Sequence, residues 1–567
     1  MSPSLQTSDI LELHSRVCPN YNPNSPMNIS LDGVSETKST SVSLDVYSTK
    51  IDKCRNVYPL KIVRPLNKYV TDNKDMLSDV LADLEENGCH IDNFIGDNPK
   101  RAIVREAKHH GSYYACEYCT SKAFSYSQEI SDPKTLNKQQ LDDIDAQIQN
   151  LSDMPGTSSS IAAKQQKIND LNKKRKKLQK ETLTITKKKQ HLVWPPQTAN
   201  GELRTRDSII DIVEKIRLAQ AGDHPNLTID EKQGFVGTSL FLDVPDFDFI
   251  HGIPTEYMHS VCLGVVKRML ELTFSVGDKR DRNTKRKLTP PSVYNKYMRD
   301  IRVPKEFSRR ARHMDFAVLK AQEMRNIILF LFPIVVLCLE KIAKERRLWL
   351  LLAFMVRSCC VPDNEFEDIN NATISLACKQ FYALYEQLFS VKNCTYNTHV
   401  VSSHILLMRR NGPFSLTSAF PFESFYAELR HSFTPGTVSP LKQMLQKVIL
   451  RRALSHHCCD ISIHYSAKDT DLECNSLIYC FIDSSHHIYK IDSCDENNPD
   501  LFYCFKQGRL PANIQECPNL PWNSVGVYRM GALDTDLITI HRNQISGKVL
   551  KVLNYLLTCP AHILREK

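Results

Sequence analysis

Two aspartates stand where a strand gives way to a turn. Asp32 ends NISLD before Gly33, and Asp97 ends NFIGD before Asn98 and Pro99. In α/β sheets functional groups gather at the carboxyl ends of strands. Carboxylates placed there are hard oxygen donors suited to Mg2+ or Mn2+, and a third acid would complete a two-metal site. Such a site serves phosphodiester chemistry, because in-line displacement develops charge on both the entering and the leaving oxygen. The same placement also suits aspartates that merely cap a turn.

A second constellation contains thiols. Cys116-x2-Cys119 has the spacing of a zinc knuckle. It lies in an irregular, aromatic-rich stretch and not at the helix start that lowers the pKa of a redox thiol. The other half of a structural Zn2+ site is expected from His259-x2-Cys262 in EYMHSVCLG, giving a Cys3His staple between distant parts of the chain. His109, His110, His399 and His404 are the alternative donors, and a buried helix face is the competing reading of His259 and Cys262. Basic residues form a third group: Lys173, Lys174, Arg175, Lys176 and Lys177 in one run, then Arg309, Arg310 and Arg312 with Lys320 nearby. Contacts to phosphate from such residues are salt-sensitive and sequence-blind. The run at 173–177 also fits a solvated helix face or a nuclear-localisation signal.

The elements that must position these residues follow from periodicity. MNISLDG, SVSLDVYST and NVYPLKIVR alternate and carry β-branched residues, so each reads as a strand. DMLSDVLADLEENG reads as a helix, capped at Thr71 or Asp72, with a stripe of Met76, Val80, Leu81 and Leu84 and a stop at Gly88. CHIDNFIGD is a fourth strand, and Pro99 opens a helix through KRAIVREAKHH. Three strands, a helix, a strand and a helix predict a mixed sheet with helices packed on it. Residues 125–195 turn polar, and Ile161 and Ile168, then Leu171, Leu178 and Ile185, recur every seven positions, predicting a short coiled coil or hairpin arm. Residues 205–460 read largely as helix, and short strands return from about Ser462 as a small barrel or sandwich.

Bulk properties narrow the class. A chain of 567 residues exceeds one hydrophobic core. A 42% hydrophobic and 24% charged composition is that of a folded protein. The excess of 73 Lys and Arg over 64 Asp and Glu permits a polyanionic partner without demanding one. The opening residues lack the basic start and apolar core of a secretory leader, and 19 cysteines in so long a chain suit reduced thiols, so an intracellular setting is expected. The apolar run Ile327 to Leu339 is shorter than a bilayer crossing requires, which predicts a buried helix and no membrane partner.

Several segments taken in order carry a resemblance. NISLDG, FIGDNPKRAIVREAKHHGSYYACEYC, GIPTEYMHSVCLGVVKRML, VPKEFSRRARHMD, KAQEMRNIILFLFPIVV and YNTHVVSSHILLMRRNGPFSLTSAFPFESFYAELR together resemble the CACTA (En/Spm-like) DNA transposases of animal type, over residues 27–455. The resemblance implies an α/β RNase H-like catalytic domain interrupted by a large helical insertion, followed here by a small all-β C-terminal domain. It implies a DDE/D triad of Asp32, Asp97 and Glu423, with Glu256 as the second choice for the third acid, holding Mg2+ or Mn2+. Transposon ends and target DNA become the expected partners, together with a homo-oligomeric assembly and a nuclear location. The Cys pair and the MHSVC segment match family motifs, which adds to the zinc expectation. Arg101 keeps its family place after Asp97 and joins the nucleic-acid contact candidates, although Asn-Pro-Lys-Arg replaces the usual Ala-Pro-Ala-Arg.

The expected division is a loose segment 1–26, the sheet domain with its knuckle 27–124, a polar and basic linker or coiled-coil arm 125–200, a helical insertion 201–415, a return helix 416–460 and a β-rich domain 461–567. Fewer than 35 residues precede Asp32, and they hold no recognisable DNA-reading motif. A missing end-recognition module is therefore expected, and a catalytically silent DNA- or protein-binding scaffold is the alternative function.

Overall fold

The computed structural model describes residues 27–127, 133–274, 289–299, 318–360, 370–432 and 477–560, with short breaks inside those spans. The chain opens with three strands, β1 (Met27–Val34), β2 (Ser39–Tyr47) and β3 (Arg55–Val63), then helix α1 (Val70–Glu86) and strand β4 (Ile91–Ile95). They build a sheet in the order β3-β2-β1-β4. Neighbours are antiparallel except that β4 lies parallel beside β1, with Ile29 opposite Phe94 and Ser30 opposite Ile95. A parallel neighbour needs a long crossover, which β2, β3 and α1 provide. Helix α1 begins before the expected cap, buries Leu77, Val80 and Leu84 at helical spacing and stops at Gly88, which adopts φ +66°.

Residues 27–30 of β1 and all of β4 except Asp92 are buried, and Met27, Ile29, Phe94 and Ile95 join the main core. Their two buried asparagines satisfy each other and a distant loop. Asn93 Nδ2 donates to Asn28 Oδ1 at 2.9 Å, Asn28 Nδ2 donates to the Leu416 carbonyl at 2.9 Å, and Asn411 Nδ2 donates to Asn93 Oδ1 at 2.8 Å. Buried amides require such partners, and here the requirement ties the sheet to residues 411–416.

After the short helix α2 (Asn98–Val104), strands β5 (Phe124–Ser127) and β6 (Gln190–Val193) pair antiparallel at the foot of a helical hairpin. Its helices are α3 (Pro133–Asp153) and α4 (Ser158–Lys188). Ile144 is buried between them, and Arg175 Nε meets Asp145 Oδ1 at 2.9 Å. Lys173, Lys174, Lys176 and Lys177 are exposed along α4.

The helical body contains α5 (Arg206–Ala221), closed by a Thr205–Ser208 capping box and by Gly222 at φ 88°. Helix α6 begins as a π-helical stretch, Met258–Val266, and continues as Lys267–Thr273. Then come α7 (Pro291–Met298), α8 (Ala321–Cys338), α9 (Ala343–Cys360), α10 (Asn371–Phe389), α11 (Tyr396–Met408) and α12 (Phe420–Ser432). Helix α8 is long and apolar enough to cross a membrane by composition, yet 72% of it is buried within the fold. Its π turn at Ile327–Leu331 lies just before Pro333, which has no N–H for a helical bond.

Strands β7 (Leu477–Ile482), β8 (Ser485–Cys494), β9 (Leu501–Pro511), β10 (Val527–His541), β11 (Ile545–Val552) and β12 (Tyr555–Pro560) close an antiparallel barrel in the order β10-β12-β11-β7-β8-β9. Closure leaves no free sheet edge. The barrel docks on the helical body through the β9–β10 connection. Trp522 stacks on Phe332 at 5.9 Å and meets Phe354 edge-on at 5.6 Å, while Arg346 pairs with Glu516 at 2.7 Å. Buried Arg357 reaches from α9 to the Val525 carbonyl at 2.8 Å.

Candidate functional site

Cys116 and Cys119 lie in a loop between α2 and β5. An isolated bridge to Leu203 fixes this loop, and Arg204 Nε donates to the carbonyls of Cys116 and Cys119 at 3.1 and 3.2 Å. Both thiols are buried beside two imidazoles of α11, His399 and His404, and the four donor atoms lie within 4.8 Å of one another. A tetrahedral zinc site with bonds of about 2.0–2.3 Å needs donor separations of roughly 3.4–3.8 Å. Small rotamer adjustments would therefore close this cage on an ion. His399 Nε2 is already 3.5 Å from Cys119 Sγ. His399 Nδ1 and His404 Nε2 are buried without a hydrogen-bond partner, which is costly for polar nitrogens.

Protonation suits ligation at Cys119 and His399, whereas Cys116 must lose its proton to bind an ion. The hydrogen bond from Cys116 holds the Cys119 thiol far below its ordinary range, against burial and with help from His399 and His404. Burial pushes Cys116 up, and burial holds His399 low, in the neutral form that ligates metals. Trp194 packs against the His399 ring at 4.9 Å, and Tyr118 packs against His404 at 5.5 Å, so aromatic walls exclude water.

The expected partnership of the Cys pair with His259 and Cys262 is corrected by this arrangement. Five residues along a regular helix turn a side chain about 140° away. His404 has non-helical angles, φ −131° and ψ 16°, and this kink brings it to the same side as His399. His259 engages a different set of groups. Cys262 is a buried core thiol whose pKa is pushed up by burial.

His259 belongs to an acid cluster. Glu256, fully buried, accepts from the Met258 and His259 backbone N–H groups at 2.7 and 2.5 Å, from Ala419 N at 3.2 Å, and from His259 Nδ1 at 2.5 Å. These four donors occupy both of its oxygens, so Glu256 caps the π-helical start of α6 and anchors the approach to α12. It is not a free metal ligand, which removes it as a candidate third acid. Glu423 stands in the first turn of α12, 41% exposed, with Oε1 4.0 Å from His259 Nε2. Helix α12 rests on β1, with Tyr426 OH 3.4 Å from Ser30 Oγ. Burial lowers the His259 pKa, but Glu256, Glu423 and Asp97 together raise it to about 9.

Asp97 follows β4 by two residues and caps α2, its Oδ1 accepting from Lys100 N at 2.9 Å. Asp32 lies in β1 opposite Ser41 of β2. The parallel register pairs Ser30 with Ile95, two residues before each aspartate. Asp97 lies past the end of β4, whereas β1 continues through Gly33 to Val34, so Asp32 does not end its strand as expected. The Asp32 side chain lies outside the described residues.

Of the nucleic-acid contact candidates, Lys173, Lys174, Lys176 and Lys177 are exposed, and Arg175 is partly covered through Asp145. Arg101 is corrected: it is fully buried, bonded to Glu117 at 3.2 Å and to the Gly96 carbonyl at 2.8 Å, and cannot reach DNA. Arg309, Arg310 and Arg312 lie outside the described residues. Neither protein-family models nor curated proteins give a match to this chain.

Proposed function

We propose that this chain is a DDE/D-type DNA transposase with an RNase H-like catalytic sheet, as its resemblance to the CACTA transposases implies. The observation that carries the reading is the parallel β1–β4 register, in which Asp32 and Asp97 each follow the Ser30–Ile95 pair by two residues. Glu423 completes the acid set from the first turn of α12. Asp97, Glu423 and Asp32 would hold Mg2+ or Mn2+, which neutralise charge on the entering and leaving oxygens when bound. Asp97 Oδ1 is engaged at the start of α2 and fixes the carboxyl group. His259 is held by Glu256 beside Glu423, where its outer ring nitrogen can donate to a phosphate oxygen. The Cys116, Cys119, His399 and His404 cage would hold a structural Zn2+, since two thiols and two imidazoles match that ion's donor preference.

The reading entails DNA ends and target DNA as partners, a homo-oligomer on paired ends, and a nuclear location. Its test is Mn2+-dependent nicking of supercoiled plasmid, followed by strand transfer with labelled terminal-repeat DNA. Wild-type protein should nick and Asp97→Asn should not. Equal nicking by the two proteins would refute the assignment. Stoichiometric DNA binding without any nicking would favour the scaffold alternative.

A further inference from the structure

We propose that Glu117 is a positioning residue through which the Cys2His2 cage sets the geometry of the acid cluster. This rests on the function proposed above. Glu117 lies between the two cysteines of the knuckle, and its side chain is only 6% exposed. Arg101 donates to its Oε1 through Nε and Nη2 at 3.3 and 3.2 Å. Its Oε2 accepts from Thr255 Oγ1 at 3.3 Å and from the Tyr396 hydroxyl.

Each partner belongs to an element that presents a functional group. Arg101 lies in α2, which Asp97 caps, and its Nη1 donates to the Gly96 carbonyl just before Asp97. Thr255 precedes Glu256, the cap that holds His259 and receives Ala419 N ahead of Glu423. Tyr396 is the first residue of α11, which carries His399 and His404. One buried carboxylate thus joins the Asp97 turn, the Glu256 turn and the helix supplying both imidazoles. A second bond runs alongside, from Thr255 N to the Tyr118 hydroxyl inside the knuckle, at 2.9 Å.

Holding one buried arginine requires only the Arg101 pair. The two further hydroxyl donors, each from a different element, make Glu117 a junction. Close-packed interiors transmit small displacements rather than absorb them, and partners one shell beyond a metal commonly set affinity at the site. Closing the cage on an ion fixes Cys116 and Cys119, and with them the backbone from which Glu117 reaches out.

The test uses two variants that leave no buried charge without its ion-pair partner. Tyr396→Phe cuts the branch to α11, and Thr255→Val cuts the branch to the Glu256 turn. In the full-length protein, Mn2+ binding is titrated by electron paramagnetic resonance, with zinc content and circular dichroism measured on the same samples and Asp97→Asn as the reference for the acid site. Both variants should keep their zinc and their spectrum while binding Mn2+ about tenfold more weakly. Unchanged Mn2+ affinity with zinc retained would overturn the junction and leave Glu117 as the partner of Arg101 alone. Loss of zinc in Thr255→Val would also overturn it, because that branch leads away from the imidazoles. If wild-type protein binds Mn2+ no better than Asp97→Asn, the transposase reading itself fails.

Discussion

Glu256→Gln is the most informative single change at the acid cluster. The Glu256 carboxylate is fully buried and accepts four donors, two of them from His259. Glutamine keeps one accepting oxygen and turns an amide NH2 toward groups that also donate. His259 reports the consequence. Burial lowers its pKa, but the acids around it, Glu256 foremost, raise it to about 9 from the usual 6.5. That difference corresponds to roughly 3 kcal/mol of preference for the imidazolium. Because the folded value is raised, this stabilisation is complete below 6.5 and is lost as pH climbs through about 9. In Glu256→Gln the His259 pKa should fall by about two units, since burial then faces only Glu423 and Asp97. The assay is a nitrogen-proton correlation of ring-labelled histidines in metal-free protein, titrated from about pH 5 to pH 10, with urea unfolding near both ends of that range. The stability gap between wild type and variant should be wider at the acidic end by on the order of 2–3 kcal/mol. A His259 pKa that stays within about half a unit of the wild-type value, or a gap independent of pH, would refute this account of the cluster.

Other parts of the structure make equally concrete commitments. Purified protein should carry about one Zn2+ per chain by mass spectrometry; Cys119→Ser or His404→Ala should release it, and Cys262→Ser should not. The reverse pattern would restore the His259–Cys262 pairing and dismantle the cage. Replacing Lys173, Lys174, Lys176 and Lys177 together by Ala should shallow the salt dependence of DNA binding by about 0.9 for each phosphate these lysines neutralise, and an unchanged slope would remove α4 as a DNA-binding element. Trp522→Ala should cost about 3–5 kcal/mol at the barrel's docking face. Limited proteolysis should then cut between the helical body and the barrel, and undiminished protection would show that other contacts hold the barrel in place.

Local chemistry made much of the scaffold readable. Strands β1, β2 and β3 follow from β-branched alternation, and the end of α1 follows from Gly88, because these signals act within a few residues. The knuckle was readable for the same reason: two residues between thiols bring them together whatever the rest of the chain does. The seven-residue repeat around Leu171 and Leu178 similarly announced the long helix α4.

What the sequence left open, with His399 and His404 only two of four alternative donors, lies at long range. His399 and His404 meet thiols 280 residues earlier only because of a kink at His404, and their spacing belongs to no regular helical face. His259 and Cys262 looked equally able to ligate, since a one-turn spacing indicates a shared neighbourhood but not which distant loop will occupy it. Arg101 offered the same ambiguity. A guanidinium in sequence is as ready for phosphate as for a buried carboxylate, and only the arrival of Glu117 beside it decides between them. Glu256 and Glu423 are alike as residue types, yet one is consumed by four donors while the other stands partly exposed beside His259. The order of residues specified which groups were available and what each could do. Folding selected which of them were already satisfied, because a buried polar group takes its role from partners that chain proximity does not supply.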